Sequence, residues 1–240
     1  MRYLKSLISL LEELDKESNN FQKAVDKTVE AIKNGGIIHI LGYGHYNVIP
    51  MELFFKPGAL ACINPLLDLS TLYSESIYRA NYLEKNEGYG KSLIANINVK
   101  ENDIFYIASY SGRDLVAIDV CLELKKKGIF TIGIINKENS AKTSKHSSKK
   151  NLKDLVDLAI LVPGPSDELL LALEENRDIK VGPLGVLIPL LVINDIFTEV
   201  IYKIENIGII PPVFRVPISS KNQEINEKLI EVYRERVRGF

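Results

Sequence analysis

The chain has 240 residues, 46% of them hydrophobic, with 30 basic and 31 acidic side chains and a net charge of −1. That length suits one domain with a sizeable core, and the balanced charge excludes a chain built to coat nucleic acid or an anionic membrane. Cys62 and Cys121, each in an apolar context, form neither a disulfide framework nor a metal-ligand spacing, so no metal and no cofactor is expected.

The longest apolar run, Val186 to Ile193, contains Pro189 and is too short to span a bilayer, and residues 1–20 are too charged for a signal peptide. A soluble cytoplasmic protein without a membrane partner is the expectation. From Leu4 to Ile32, apolar or small residues recur at positions 4, 7, 11, 14, 18, 21, 25, 28 and 32, a heptad spacing. One long helix fits it, and Ser18-Asn19-Asn20 offers a fresh N-cap at which it could divide into two. Such a face packs on the chain's own core or on a second subunit.

Asn34-Gly35-Gly36 stops this segment, and Ile37 to Leu41 reads as a buried strand with His39 as a structural histidine inside it. The turn Gly42-Tyr43-Gly44-His45-Tyr46-Asn47 follows, then a helical segment from about Val48 to Lys56. The turn lacks the third glycine and the later acidic residue of a dinucleotide fingerprint. His45 lies where a polar ring can face a ligand, and Glu52, seven residues on, shares its side if the helix starts by His45. Ala59 to Ile63 is a second strand. Asn64-Pro65 opens a connection over the top of the sheet that runs to Glu87, and helical composition resumes from Glu87 to Ile97.

The stretch from Asp103 to Asp114 organises the rest. Ile104 to Ala108 is a strand and Leu115 begins a helix, so Ser109, Ser111, Gly112 and Arg113 occupy a strand-to-helix turn. Free N–H groups and the positive dipole end of a helix start favour an anion, and two hydroxyls beside them can donate to the same oxygens. A lone Ser111 or Asp114 here would read as a helix cap, but the cluster exceeds what a cap requires. Ile129 to Ile135 is a fourth strand, followed by a polar loop in which His146-Ser147-Ser148 lies past the strand's C-terminal end, the edge where open α/β sheets place ligands. Leu155 to Val162 is a fifth strand, ended by Pro163-Gly164-Pro165. A buried helix from Leu184 to Ile204 and a last helix from about Gln223 to Val237 complete the chain, with Arg234, Arg236 and Arg238 read as a solvated face.

Five strands alternating with helices predict an α/β fold, a parallel sheet covered on both faces as a three-layer α-β-α sandwich. Residues 1–240 form a single domain, with a helical segment over 1–34, the sheet core over 35–210 and a C-terminal helical segment over 211–240. The motifs Gly42-Tyr43-Gly44-His45, Glu52-Leu53-Phe54, Asn64-Pro65-Leu66-Leu67-Asp68, Ser109-Tyr110-Ser111-Gly112-Arg113, His146-Ser147-Ser148, Lys180-Val181-Gly182-Pro183 and Pro211-Pro212-Val213-Phe214 occur in an order that resembles the SIS, or sugar isomerase, domain family. The resemblance implies a five-stranded flavodoxin-like sheet, assembly as a homodimer or homotetramer, and a sugar phosphate held at two turns. Gly44 and Tyr46 of the first turn, Ser109, Tyr110, Ser111, Gly112 and Arg113 of the second, and His146, Ser147 and Ser148 are the binding candidates. Tyr43 and Tyr46 stand where relatives carry a small hydroxyl residue, Leu184-Gly185 where they carry Thr or Ser, and Ile225 in place of a histidine.

Aldose–ketose isomerisation needs a base at carbon and a group at the carbonyl oxygen. Glu52 and His45 are the expected catalytic pair, with Glu75, Glu87 and Glu168 next in line. A sensor that binds a phosphosugar without turnover, and an amino-sugar phosphate deaminase, are the alternatives.

Overall fold

The computed structural model describes residues 1–14 and 18–240. Its centre is a parallel five-stranded sheet of β1 (Ile38–Leu41), β2 (Ile63–Leu66), β3 (Ile104–Ala108), β4 (Phe130–Asn136) and β5 (Leu158–Val162), in the order β2-β1-β3-β4-β5. Every residue of β1, β2 and β3 is buried, which is why these strands read as continuous apolar runs. The helices are α1 (Arg2–Leu14), α2 (Ser18–Lys33), α3 (Val48–Leu53), α4 (Ile77–Glu84), α5 (Tyr89–Ile94), α6 (Leu115–Lys126), α7 (Leu187–Asn206) and α8 (Ser220–Tyr233). α2 packs on α7 and against β1 and β5, while α6 packs on β4 and α5, so the sheet is the middle of three layers. No helix among the described residues is long and apolar enough to cross a membrane.

The N-terminal heptad stretch is two helices, with residues 15–17 between them outside the described residues. Its seam is inward only in part: Leu7, Val25 and Thr28 are buried, with Thr28 Oγ1 2.6 Å from Tyr106 Oη on the central strand, while Leu4 is exposed and Leu11, Leu14 and Phe21 are half-buried beside Leu191 and Asp195 of α7. β2 begins where the second strand was expected to end. Asn-Pro reads as a terminator, yet β2 is an edge strand, where a missing N–H costs no ladder bond. Pro65 pairs in register with Ile40, and residues 59–61 instead bond to 212–214. The expected open connection contains α4, started by Ser76, whose hydroxyl accepts from the Arg79 N–H at 3.2 Å. Ile77, Tyr78 and Tyr82 on α4 are exposed and only Ala80 is buried, so no apolar period announces the helix. After β5, β6 (Leu169–Ala172) and β7 (Lys180–Pro183) form a separate antiparallel pair that sequence patterning does not reveal. α3 stops at Leu53, short of Lys56, and Phe55 takes φ +44.

Arg236 departs from the expected solvated face. Its Nη2 atom reaches both carboxylate oxygens of buried Asp103, at 2.8 and 2.6 Å, and Asp103 also accepts from the N–H groups of Ile37 and Lys100 at 2.9 and 2.8 Å. His39 completes the cluster: Nε2 lies 3.1 Å from Asp103 and Nδ1 2.9 Å from the Asn64 amide. Burial lowers the imidazole's pKa, with Asp103 opposing. For Asp103 itself burial acts upward, but the bonds from His39, the two backbone donors and Arg236 outweigh it and hold the carboxyl at about 2 against an ordinary 3.8. A depressed acid pKa stabilises the fold above the unfolded value, and that contribution is lost as pH falls from about 4 towards 2. Arg236→Ala should therefore cost about 2–3 kcal/mol at neutral pH and lower Tm by roughly 4–12 °C, with a shallower loss of stability on acidification. Thermal melts at pH 7 and pH 3 check this, and equal Tm values at pH 7 would show that the tail does not hold Asp103.

Candidate functional site

The topology brings the turns after β1 and β3, adjacent strands, to the same C-terminal edge of the sheet. The turn after β3 is fixed first by its backbone. Ser109 N–H donates to Ile134 O at 3.1 Å, Gly112 N–H to Ser109 O at 2.9 Å, and Leu152 N–H to Gly112 O at 2.8 Å. Gly112 has φ +65, and a Cβ there would lie 2.4 Å from Asn151 Oδ1, so the turn requires glycine on both counts. The turn after β1, a 3₁₀ turn over Gly44–Asn47, joins it through Tyr46, whose hydroxyl oxygen accepts the Tyr110 N–H at 2.7 Å.

Three hydroxyls from these two turns converge on one carboxylate. Ser109 Oγ donates to Asp114 Oδ2 at 2.7 Å, Ser111 Oγ to Oδ1 at 2.9 Å, and Tyr43 Oη lies 2.9 Å from Oδ2 and 3.0 Å from Ala108 O. Burial raises the Tyr43 phenol well above its ordinary range, and the charge of Asp114 adds to it, so Tyr43 is a donor here. Asp114 sits at the N-cap of α6 but makes no capping bond with its side chain. The N–H groups of the first turn of α6 therefore receive no cap from the Asp114 side chain, which is held by the three hydroxyls instead.

Two further carboxylates feel the charge of Asp114. Glu84, the last residue of α4, accepts from the Tyr73 hydroxyl at Oε2, 2.8 Å away, while its Oε1 is shut off from solvent with no hydrogen-bond partner among the described residues. Gly44 (φ +49) makes room for that oxygen: a Cβ at 44 would lie 2.0 Å from it. Burial raises the Glu84 pKa, Tyr73 opposes, and the charges of Asp114 and Asp68 add to the rise. Glu168, at the start of the β6–β7 pair, has φ +69 and lies against Gly185, where a Cβ would be 2.0 Å from its Oε2. Burial, then Asp114 and Asp167, raise its pKa as well.

The sequence candidates divide into three groups. Gly44, Tyr46, Ser109, Tyr110, Ser111 and Gly112 build the cradle and its supports, and the Arg113 N–H donates to Ser111 Oγ at 3.0 Å while its side chain is exposed. His45 stacks on Tyr73, with ring centroids 4.2 Å apart, and so stands next to Glu84's partner. Glu52 is on the exposed side of α3 in an ion pair with Lys56, with no bond to the cradle, because the 3₁₀ turn breaks the continuous helical phase that would have aligned it with His45. His146, Ser147 and Ser148 form a separate clip. His146 Nδ1 accepts the Ser148 N–H at 3.0 Å, which places the proton on Nε2, 3.3 Å from Asp119 Oδ1, and the Ser147 N–H donates to Glu87 at 2.8 Å. Asp119 in turn accepts from the N–H groups of Gly88 and Gly90, so the loop after β4 is pinned to α5 and α6. Of the residues around this turn, Tyr43 and Asp114 stand in the motifs already singled out, one in the first-turn motif and one as a possible helix cap, whereas Glu84 and the Tyr73 hydroxyl that holds it carry no pattern that marks them.

Residues 2–136 match the SIS domain family model. The chain is 33% identical over 237 residues to UPF0309 protein lin2794 of Listeria innocua, covering 98% of this chain and 96% of that one. It is 32% identical over 225 residues to UPF0309 protein GK1441 of Geobacillus kaustophilus, covering 93% and 89%. Among solved structures it is similar to a phosphoheptose isomerase from Francisella tularensis, with TM-score 0.52, 14% identity and coverage of 83% of this chain and 96% of that one. The phosphoheptose isomerase GmhA from Neisseria gonorrhoeae gives TM-score 0.52, 13% identity and coverage of 82% and 95%. At these identities the structural likeness bears on the fold.

Proposed function

This chain belongs to the SIS domain family, and on that premise we propose that it binds a sugar phosphate at the serine turn and interconverts its aldose and ketose forms. The observation that carries the reading is the convergence of Ser109, Ser111 and Tyr43 hydroxyls on a single anion at the uncapped start of α6. A phosphate offers three oxygens to the same donors once Asp114 turns out of the cradle. Tyr43, which replaces a small hydroxyl residue of relatives, keeps a hydroxyl at the seat on a longer arm. The named isomerases of like fold supply the substrate class, and the proton-transfer chemistry is supported by Glu84, held against Gly44 of the first turn with a pKa that burial raises.

The sensor reading draws on Leu184 and Ile225, apolar where relatives carry polar groups. A panel of ribose 5-phosphate, glucose 6-phosphate, glucosamine 6-phosphate and sedoheptulose 7-phosphate, read by thermal stabilisation, separates the possibilities. Any member that stabilises is then incubated in deuterium oxide and followed by NMR. Exchange at the carbon beside the carbonyl supports the isomerase, ammonia release the deaminase, and tight binding with neither the sensor. Self-association goes with the family reading and is checked by sedimentation at micromolar concentration, where a dominant monomer would remove it.

A further inference from the structure

We infer that Glu84 is the base that carries the proton between the reacting carbons, and that Tyr73 is the residue that positions it. The inference rests on the isomerase reading above and moves the proton transfer from the expected base, Glu52, to a residue that another segment brings to the first turn. Glu52 is half exposed and paired with Lys56 on the outer side of α3.

Contacts tie Glu84 to the two turns. Its Oε1 stands 2.0 Å from the place a Cβ of residue 44 would take, so only glycine lets the carboxylate this close. Gly44 lies between the two tyrosines that reach the serine turn: Tyr43 Oη is 2.9 Å from Asp114 Oδ2, and Tyr46 Oη accepts the Tyr110 N–H at 2.7 Å. The Gly44 N–H donates to Thr71 Oγ1 at 2.8 Å, and Thr71 Oγ1 donates to Asp68 Oδ2 at 2.7 Å, so the backbone beside the carboxylate is pinned as well. A phosphate seated at Ser109 and Ser111 leaves the sugar's carbonyl end, several bonds away, to be met by the first turn and what packs on it.

Tyr73 holds one oxygen of the carboxylate and leaves the other unheld. Its hydroxyl donates to Oε2 at 2.8 Å, and its ring is fixed by stacking on His45, with centroids 4.2 Å apart and planes 8° from parallel. Oε1 is shut off from solvent and has no hydrogen-bond partner among the described residues. The carboxylate can therefore turn about the Tyr73 bond to meet a ligand without giving that bond up, and a donor at Oε2 favours the ionised form that a base needs. The helix that carries Glu84 permits the approach: α4 buries only Ala80 and packs mainly on the 3₁₀ turn Leu69–Thr71, so a small shift of it uncovers Oε1.

The reaction balances without a co-reactant. Glu84 takes the proton from the carbon beside the carbonyl, the C–H electron pair becomes the C=C bond, and the carbonyl π pair moves to its oxygen, which takes the proton of the neighbouring hydroxyl. The oxygen that gave up this proton then forms the new C=O bond, and the C=C pair takes the proton back from Glu84 at the former carbonyl carbon.

The test takes whichever panel sugar phosphate stabilises the wild-type chain and measures its affinity, its deuterium exchange and its kcat against pH in Glu84→Gln, Tyr73→Phe and Glu52→Gln. Glu84→Gln should lower exchange and turnover together by about 10²- to 10⁴-fold with affinity changed less than about threefold. Tyr73→Phe keeps the ring on His45 and removes only the donor, and should lower turnover at neutral pH by about tenfold. Tyr73, Asp114, Asp68 and Lys85 are the groups that act on Glu84, and Tyr73 opposes the rise that burial causes. Its loss should therefore move the acid limb of the kcat profile to higher pH, a change that a merely structural role would not produce. Glu52→Gln should leave exchange and turnover within about threefold of wild type. Exchange undiminished in Glu84→Gln, or abolished only in Glu52→Gln, overturns the assignment while leaving the isomerase, and an acid limb unmoved in Tyr73→Phe removes Tyr73 from it. Binding without any exchange in the wild type, or no binding by any panel member, overturns the isomerase reading itself and this base with it. Should Glu84→Gln fail to fold, Glu84→Asp, which keeps the charge but shortens the reach, must show the same loss of turnover.

Discussion

Asp114→Asn is expected to tighten sugar-phosphate binding by about 10- to 100-fold. In the unliganded chain the Asp114 carboxylate accepts from the two serines and lies in reach of Tyr43, so an incoming phosphate competes with a built-in anion for the same donors. Even after Asp114 turns aside, its charge stays near the phosphate, and one like charge about 6–12 Å away costs about 1.4–3 kcal/mol at an effective dielectric constant near 20. Asparagine keeps the size and an acceptor oxygen but not the charge. No capping bond is lost, but one carboxylate oxygen that accepts from these hydroxyls becomes an NH2 group, so Tm should fall by roughly 2–8 °C, for a stability loss of about 1–2 kcal/mol. Calorimetric titration of wild type and variant measures the difference. A variant that binds at least tenfold more weakly would mean that Asp114 is itself a ligand to the sugar, and the cradle would then seat something other than phosphate.

The second large effect is expected from Gly44→Ala, which should lower turnover about 100-fold or more, and by more than it lowers affinity. The added Cβ would stand 2.0 Å from Glu84 Oε1 and 3.2 Å from Tyr73 Cε2, so the Glu84 carboxylate must leave its place. It is the far end of a flexible side chain, so it can leave cheaply. Together with the left-handed φ of +49 at this position, the stability loss should be only about 1–2 kcal/mol. Ser109 and Ser111 lie on the other turn, so of the three hydroxyls only that of Tyr43, the neighbour of position 44, can be disturbed. Initial-rate kinetics with a parallel melt check the split between kcat and affinity, and a variant with wild-type kcat would show that the position of Glu84 is immaterial to the chemistry.

The sheet was legible because its strands are buried on both faces and so appear as short apolar runs, as in Ile104 to Ala108. The serine turn was legible because its residue types announce themselves at a strand-to-helix junction. What could not be read was placement between segments. Glu84 lies on a helix with almost no buried face, so neither the helix nor its contact with Gly44 leaves a period in the sequence. The alignment of His45 with Glu52 assumed an unbroken α-helical turn, and the 3₁₀ geometry of residues 44–47 removes it. Arg236 sits near other arginines at a chain end, which reads as solvated, and only the fold brings it to Asp103. In each case the sequence carried the residue but not its partner.

The central claim is that the serine turn seats the ligand's phosphate. The most direct measurement is calorimetric titration of the stabilising panel member into the Ser109→Ala, Ser111→Ala double variant beside the wild type. Two lost hydrogen bonds to a charged group, at about 1.5–3 kcal/mol each, predict a fall in affinity of at least about 100-fold with an intact circular-dichroism spectrum. Affinity within threefold of wild type in a folded double variant would contradict the claim and move the phosphate away from this turn.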